Sequence, residues 1–255
     1  MLTNMLSFDS DRFTYSEISD VVCSIFPTGV DRDADVWQTF PGMAVLADRL
    51  ASALNGDEWT YWQETEEQIR LQTGLPVIGA TNGQAPCRGG YIQIADSDAV
   101  ALHLHFYVSL LGPWYVVTGD YQAKAQVEDR SFRRTVYLAA SPVGPFGEAF
   151  EVVIRILEKR FPGYKPLPFY VVQQPLKEIE VPYAEASSLF AVLFGDAHID
   201  IAAPAAGDTR RGAERWLKEG ASPDTGWIGL PPLSWLRENG GIPTLPIDTQ
   251  NTDDQ

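Results

Sequence analysis

The chain of 255 residues contains only two cysteines, Cys23 and Cys87, and only three histidines. Two cysteines do not make the disulfide framework of a small secreted protein, so the sequence predicts free thiols in a reducing cytosol. The first residues lack the basic start and apolar run of a signal peptide. No stretch reaches the ~18 consecutive apolar residues of a membrane span. We therefore expect a cytoplasmic protein with no membrane partner.

The sequence also lacks the common catalytic and nucleotide-binding motifs. Its glycine-rich segment does not end in Gly-Lys-Ser/Thr, as a phosphate-binding loop does, and no Gly-x-Ser-x-Gly elbow is present. Cys87 lies beside Arg88, a neighbour that favours the thiolate, but no catalytic partner is recognisable near it. The sequence thus predicts no catalytic residue, no cofactor and no enzymatic activity.

Basic residues are scarce, with 19 lysines and arginines against 34 acidic residues and a formal net charge of −15. The excess is concentrated in residues 1–86, where 13 acidic and 4 basic side chains give a net charge of −9. A chain this acidic is repelled by nucleic acid phosphates and attracted to basic proteins. We expect no nucleic acid partner.

The clearest structural pattern is the alternation from Leu102 to Leu110, with His103, His105 and Tyr107 at the intervening positions. Alternation with period two is typical of a half-buried strand. A Gly-Pro loop separates this run from a second one that begins at Trp114, which predicts an antiparallel hairpin. The residues at the even positions should be buried, and the histidines should lie on a polar face.

The order of the remaining patterns predicts an α+β fold. Short loops between the strands favour an antiparallel meander with helices packed on one face of the sheet. Residues 1–204 should form a single domain, and residues 205–255 a Pro- and Gly-rich extension that wraps it and ends in disorder. Strands are predicted over 91–95, 100–110, 114–121, 134–140, 169–172, 179–181 and 198–202. Helices are predicted over 16–26, 41–54, 57–73, 145–161, 184–194 and 210–218, with a strand as the alternative for 184–194.

The pair His103-x-His105 is a possible metal site, because alternate residues of a strand project to the same side. A third ligand is available in Asp196-x-His198-x-Asp200, and such ligands suit zinc or iron. His103, His105 and His198 would then serve a metal-dependent hydrolase. His-x-His also occurs often by chance, however, and no third ligand is fixed by the spacing. The sequence therefore predicts no bound metal, and the hydrolase remains an alternative.

A second candidate site is the predicted helix over 57–73, where aromatic and acidic side chains lie close together in the sequence. Aromatic residues are favoured at protein interfaces, and acidic residues attract a basic partner. The alternative is a helix whose aromatics lie in the core and whose acids are merely solvated. The predicted partner-binding residues are Asp57, Glu58, Trp59, Glu64, Glu66 and Glu67.

In size, acidity and layout, the chain resembles the immunity proteins of bacterial toxin–immunity pairs, such as those that accompany type VI secretion effectors. The resemblance implies a protein that binds and neutralises one cognate toxin, often a basic enzyme such as a nuclease. The acidic residues would then steer the toxin and mimic its polyanionic substrate. A scaffold domain without a toxin partner is the remaining alternative.

Overall fold

The computed structural model describes residues 15–127, 130–140, 142, 144–167, 172, 176, 179–181, 188–195 and 205–206. The chain begins with the helices α1 (Tyr15–Ile25), α2 (Asp35–Gln38), α3 (Pro41–Ala53) and α4 (Gly56–Thr73). The strands β1 (Val77–Gly79), β2 (Cys87–Asp96), β3 (Val100–Ser109), β4 (Trp114–Val127) and β5 (Arg130–Ala139) follow. A 3₁₀ turn (Gly144–Phe146) leads into α5 (Gly147–Arg160), β6 (Lys165–Pro166), α6 (Leu189–Phe194) and β7 (Ala205–Ala206). Within these ranges, no helix is both long and apolar enough to cross a bilayer.

The strands β1 to β5 form an antiparallel meander in the order of the chain. β6 pairs in parallel with the start of β4, and β7 pairs in parallel with the end of β5. The hairpin of β3 and β4 turns at Leu111-Gly112-Pro113 and pairs Val108 with Tyr115. The predicted α+β class and the meander at its centre are confirmed.

One face of the sheet packs against α4 and α5. Leu102, Leu104, Phe106 and Val108 are all buried on this face, as the alternation predicts. Trp62 and Ile69 of α4 and Phe150, Val153 and Leu157 of α5 complete this core. Burial of each large apolar side chain stabilises the fold by about 1.5–3 kcal/mol, so this layer supplies much of the driving force for folding.

The opposite face is not the open polar surface that the alternation suggests. Tyr107 packs against Phe190 and Phe194 of α6, with ring centroids 5.9 Å apart in both pairs. Every residue of α6 is buried, and α1 packs against α6. His103 and His105 are only 8% and 7% exposed. Helices therefore cover both sides of the sheet near β3, because an entirely apolar helix has no favourable place except the interior.

The glycine-rich segment before β2 is not a simple loop, since residues 77–79 form β1 and β2 already begins at Cys87, ahead of the strand predicted over 91–95. A Cβ atom on Gly89 would lie 2.5 Å from the ring of Tyr107, and one on Gly90 would lie 2.7 Å from the ring of Phe106. Gly89 and Gly90 thus let aromatic rings lie directly against the strand. Glycine here marks close packing within a strand rather than a turn.

Several predicted elements near the C-terminus are only partly described. Residues 179–181 do not join the sheet as a strand; Ile179 forms an isolated bridge with Thr28. The predicted helix over 184–194 is present as α6, while its first residues lie outside the described ranges. The predicted strands over 169–172 and 198–202 and the helix over 210–218 lie wholly or almost wholly outside them. Of the extension over 205–255, β7 alone is described.

Candidate functional site

The exposed side of α4 carries most of the acidic side chains that were predicted to bind a partner. Asp57, Glu64, Glu67 and Leu71 recur at helical spacing and are all exposed, so they lie along one side of the helix. Leu71 is 65% exposed, which makes it one of the most exposed large apolar side chains of the described residues. We call these four residues the α4 stripe. It combines negative charge with an apolar side chain at its C-terminal end.

Arginines of α4, β2 and α5 neutralise part of the negative charge of α4. Glu64 accepts a hydrogen bond of 3.0 Å from Arg160, the last residue of α5. Glu58 forms an ion pair with Arg88 of β2, and Glu67 forms one with Arg70 on its own helix. Within the described ranges, Asp57 has no salt bridge.

Arg160 fixes α4 to α5 through several contacts. Its guanidinium donates to the carbonyl oxygen of Tyr61 at 2.7 Å and to the hydroxyl of Thr65 at 3.1 Å. It also lies 3.6 Å from the centre of the Tyr61 ring. The side chain of Arg160 is only 12% exposed. Its ion pair with Glu64 is therefore also part of the contact between α4 and α5. The same guanidinium group holds Tyr61 in place.

Two of the predicted residues of α4, Trp59 and Glu66, lie towards the interior beside Trp62, whereas Glu58 is exposed. Trp62 is fully buried, and Trp59 is half-buried against the core between α4 and the sheet. The indole nitrogen of Trp62 donates to Glu66 at 2.9 Å. Burial raises the pKa of Glu66 to about 7, although the hydrogen bond from Trp62 acts in the opposite direction. Glu66 is thus only partly ionised near neutral pH.

Acidic residues before and within α2 form a second exposed group that was not among the predicted partner-binding residues. Asp31, Asp33 and Asp35 are exposed and, among the described residues, form no salt bridge. Next to them, Val36 is 62% exposed. The run of alternating aspartates is visible in the sequence, but its exposure and its lack of salt bridges are visible only in the fold.

A polar cluster lies on the sheet face that α6 partly covers. His103 and His105 project from β3, and Asp120 of β4 is paired directly with His103. Asp120 is 2% exposed, and its Oδ2 atom lies 3.6 Å from Nε2 of His105. One possible ligand atom from each of the three side chains lies within 4.8 Å of the other two. We call these three residues the His-His-Asp cluster.

Neighbouring side chains hold this cluster in place. The hydroxyl of Tyr107 lies 3.2 Å from Nδ1 of His105, and their rings are stacked with centroids 6.1 Å apart. Gln122 donates from Nε2 to Oδ2 of Asp120 at 2.5 Å. The ring of Tyr91 lies 4.9 Å from that of His103. Because aromatic contacts and hydrogen bonds restrict all three side chains, the cluster is largely preorganised.

A cleft of about 190 Å³ adjoins the cluster. His105 and Tyr107 line it together with Tyr91 and Cys87. Cys87 donates a hydrogen bond of 3.1 Å to the carbonyl oxygen of Phe194. Cys23 and Cys87 are both free thiols in the structure. The cleft therefore provides a path from solvent to one member of the cluster.

The sequence did not identify Asp120 as a neighbour of the two histidines. The predicted hairpin could have identified it. If the turn is centred between Leu111 and Gly112, counting back to His103 and forward by the same number of residues reaches Asp120, which is the register observed. His198, the third histidine of the alternative hydrolase site, lies outside the described residues.

Comparison with protein-family models, with curated proteins and with solved structures finds no match for this chain. Any functional conclusion must therefore come from its own residues and contacts.

Proposed function

We propose that this chain is a cytoplasmic immunity protein, which binds and neutralises one basic toxin. The observation that carries the proposal is the α4 stripe, where Asp57, Glu64 and Glu67 lie beside the exposed Leu71. Interfaces of this kind combine an apolar anchor that excludes water with charged side chains around it. The stripe offers both on a rigid helix.

The acidic groups that form no salt bridge among the described residues set the long-range field. Asp57 and the three aspartates at 31, 33 and 35 are exposed. Their attraction for a positively charged surface raises the rate of encounter, and salt weakens it because the Debye length shrinks from ~10 Å at 0.1 M to ~3 Å at 1 M. Glu64 and Glu67 already have arginine partners, so they contribute less to this field.

The same charges indicate which kind of toxin fits. A net charge of −15 disfavours anionic surfaces and nucleic acids and favours a protein with a basic surface. Toxins that cleave or bind nucleic acid carry such a surface at their active sites. An acidic helix laid across that surface blocks access of the polyanionic substrate, which is how neutralisation would be achieved.

The proposal is tested by co-expression of this chain with the protein encoded by the adjacent gene. We expect the neighbouring protein to stop growth when it is produced alone, and growth to be restored when this chain is produced with it. The two purified proteins should also form a complex that elutes as a single species. A partner that binds without any effect on growth would support the scaffold instead. Growth arrest that this chain does not relieve, with no complex formed, would contradict the proposal.

A further inference from the structure

We propose that the His-His-Asp cluster binds a divalent transition-metal ion such as zinc. Two imidazoles and a carboxylate form a ligand set that zinc and iron accept. The sequence alone disfavoured a metal because no third ligand was fixed by the spacing of His103 and His105. The hairpin register supplies Asp120 as that ligand. This inference is independent of the proposed binding of a toxin.

The positions of the three side chains fit one ion between them. His103 and His105 project from the same side of β3, and Asp120 projects to that side from the adjacent strand. Their ligand atoms lie within 4.8 Å of one another. Ligands of a tetrahedral zinc at ~2.0–2.1 Å from the ion are roughly 3.4 Å apart. Small side-chain rotations therefore bring the three atoms to bonding distance without any movement of the strands.

Hydrogen bonds to neighbours assign the ligand atoms. The hydroxyl of Tyr107 lies beside Nδ1 of His105, while Nε2 faces Asp120. An Nδ1–H bond to the tyrosine oxygen would fix the tautomer with its lone pair on Nε2, as is usual for a metal-binding histidine. On Asp120, Oδ2 accepts a hydrogen bond from Gln122. Oδ1 is buried and has no hydrogen-bond partner among the described residues, so it is the atom left to bind the ion.

A bound cation would also fit the burial of the Asp120 carboxyl group. Asp120 is 2% exposed, and an ionised group at such a position is costly unless it is paired or binds a metal. A metal ion would compensate this charge. The rival explanation is a direct ion pair between a protonated His105 and Asp120, which needs no metal. The adjoining cleft reaches His105 and supplies the entry path that a metal site needs.

The proposal is tested with the full chain after removal of metal by EDTA and dialysis. Titration with Zn²⁺, followed by isothermal calorimetry and by elemental analysis of the dialysed complex, should show about one equivalent bound. Asp120→Asn keeps the size and shape of the side chain and should abolish stoichiometric binding. The matched control, Asp98→Asn, changes an exposed aspartate in the turn after β2 and should bind as the wild type does.

A further variant tests the assignment of the ligand atoms. Tyr107→Phe removes only the hydroxyl beside His105 and should weaken zinc binding by about 10–100-fold, the usual effect of losing a partner that orients a ligand. Circular dichroism checks that each variant is folded, and Asp120→Asn carries the test if Tyr107→Phe is not. The rival with a protonated His105 predicts no stoichiometric binding by the wild type. That result would overturn the proposal. So would one equivalent of zinc bound by Asp120→Asn, or zinc binding that is lost in His198→Ala and in no other variant.

Discussion

Replacing Glu66 with glutamine should stabilise the fold at alkaline pH and have much less effect at acidic pH. Burial raises the pKa of this carboxyl from its usual 4.5 to about 7 in the folded chain. Between these two values the folded chain binds more protons than the unfolded chain, so ionisation of Glu66 lowers stability as the pH rises through this range. Glutamine cannot ionise, and its side-chain oxygen can still accept the hydrogen bond from Trp62. The variant therefore avoids this loss of stability as the pH rises.

The magnitude follows from the shift in pKa. A rise from 4.5 to about 7 corresponds to about 3.4 kcal/mol at 1.36 kcal/mol per unit. Glu66 is only half-buried, and solvent screens the charge, so we expect a gain of about 1–2 kcal/mol at about pH 8. At about pH 5 the gain should fall to roughly a quarter of that value, since most of Glu66 is then protonated in the folded chain.

Urea unfolding of the wild type and of Glu66→Gln at the two pH values measures both gains. Glu67→Gln is the matched control on the same helix. The hydrogen bond from Arg70 lowers the pKa of Glu67, so its contribution to stability is present above the unfolded pKa and is lost as the pH falls. The control should therefore show no gain at alkaline pH. Equal stability of Glu66→Gln and the wild type at about pH 8 would refute the reasoning.

Three further predictions concern the core and the thiols. Leu104→Ala should lower the free energy of unfolding by about 2–5 kcal/mol in urea titrations, because it leaves a cavity between the sheet and the α4–α5 layer; a change below about 0.5 kcal/mol would contradict this. Gly119→Ala should cost about 1–3 kcal/mol in the same assay, since its Cβ would lie 2.7 Å from the ring of Phe146; a gain in stability would show that the ring moves freely. Thiol counting under denaturing, non-reducing conditions should find both cysteines free, and a count of zero would disprove the reducing environment.

The centre of the fold was predictable because local and global preferences agree there. The alternation around Leu104 and the short loop after Leu110 fix both a strand pair and the side that packs against helices. The second face was not predictable in the same way. His103 and His105 are polar and were expected to lie on an open face, but the cover comes from α6, which is remote in sequence. Alternation shows which residues share a face and does not show what covers it.

The charge map illustrates a second limit. Counting acidic residues along the chain located the excess in the N-terminal third, but Arg88 and Arg160 come from later in the sequence and pair with Glu58 and Glu64. The predicted helix over 57–73 was right in its bounds to within one residue. The few apolar residues of this helix did not show that Glu66 lies on its inner side, where it accepts a hydrogen bond from Trp62. Pairing across the fold, rather than composition, determines which acidic groups remain available.

The measurement that tests the proposed function most directly is the association rate with the toxin partner as a function of salt. The variant Asp57→Asn/Glu67→Gln removes two charges of the α4 stripe, and Asp98→Asn/Glu148→Gln removes two exposed charges elsewhere. Between 0.1 and 1 M salt, where the Debye length falls from ~10 to ~3 Å, the wild-type rate should drop steeply. The stripe variant should associate more slowly at low salt and depend less on salt, with a similar dissociation rate, while the control follows the wild type. Association of the stripe variant at the wild-type rate across this range would contradict the account.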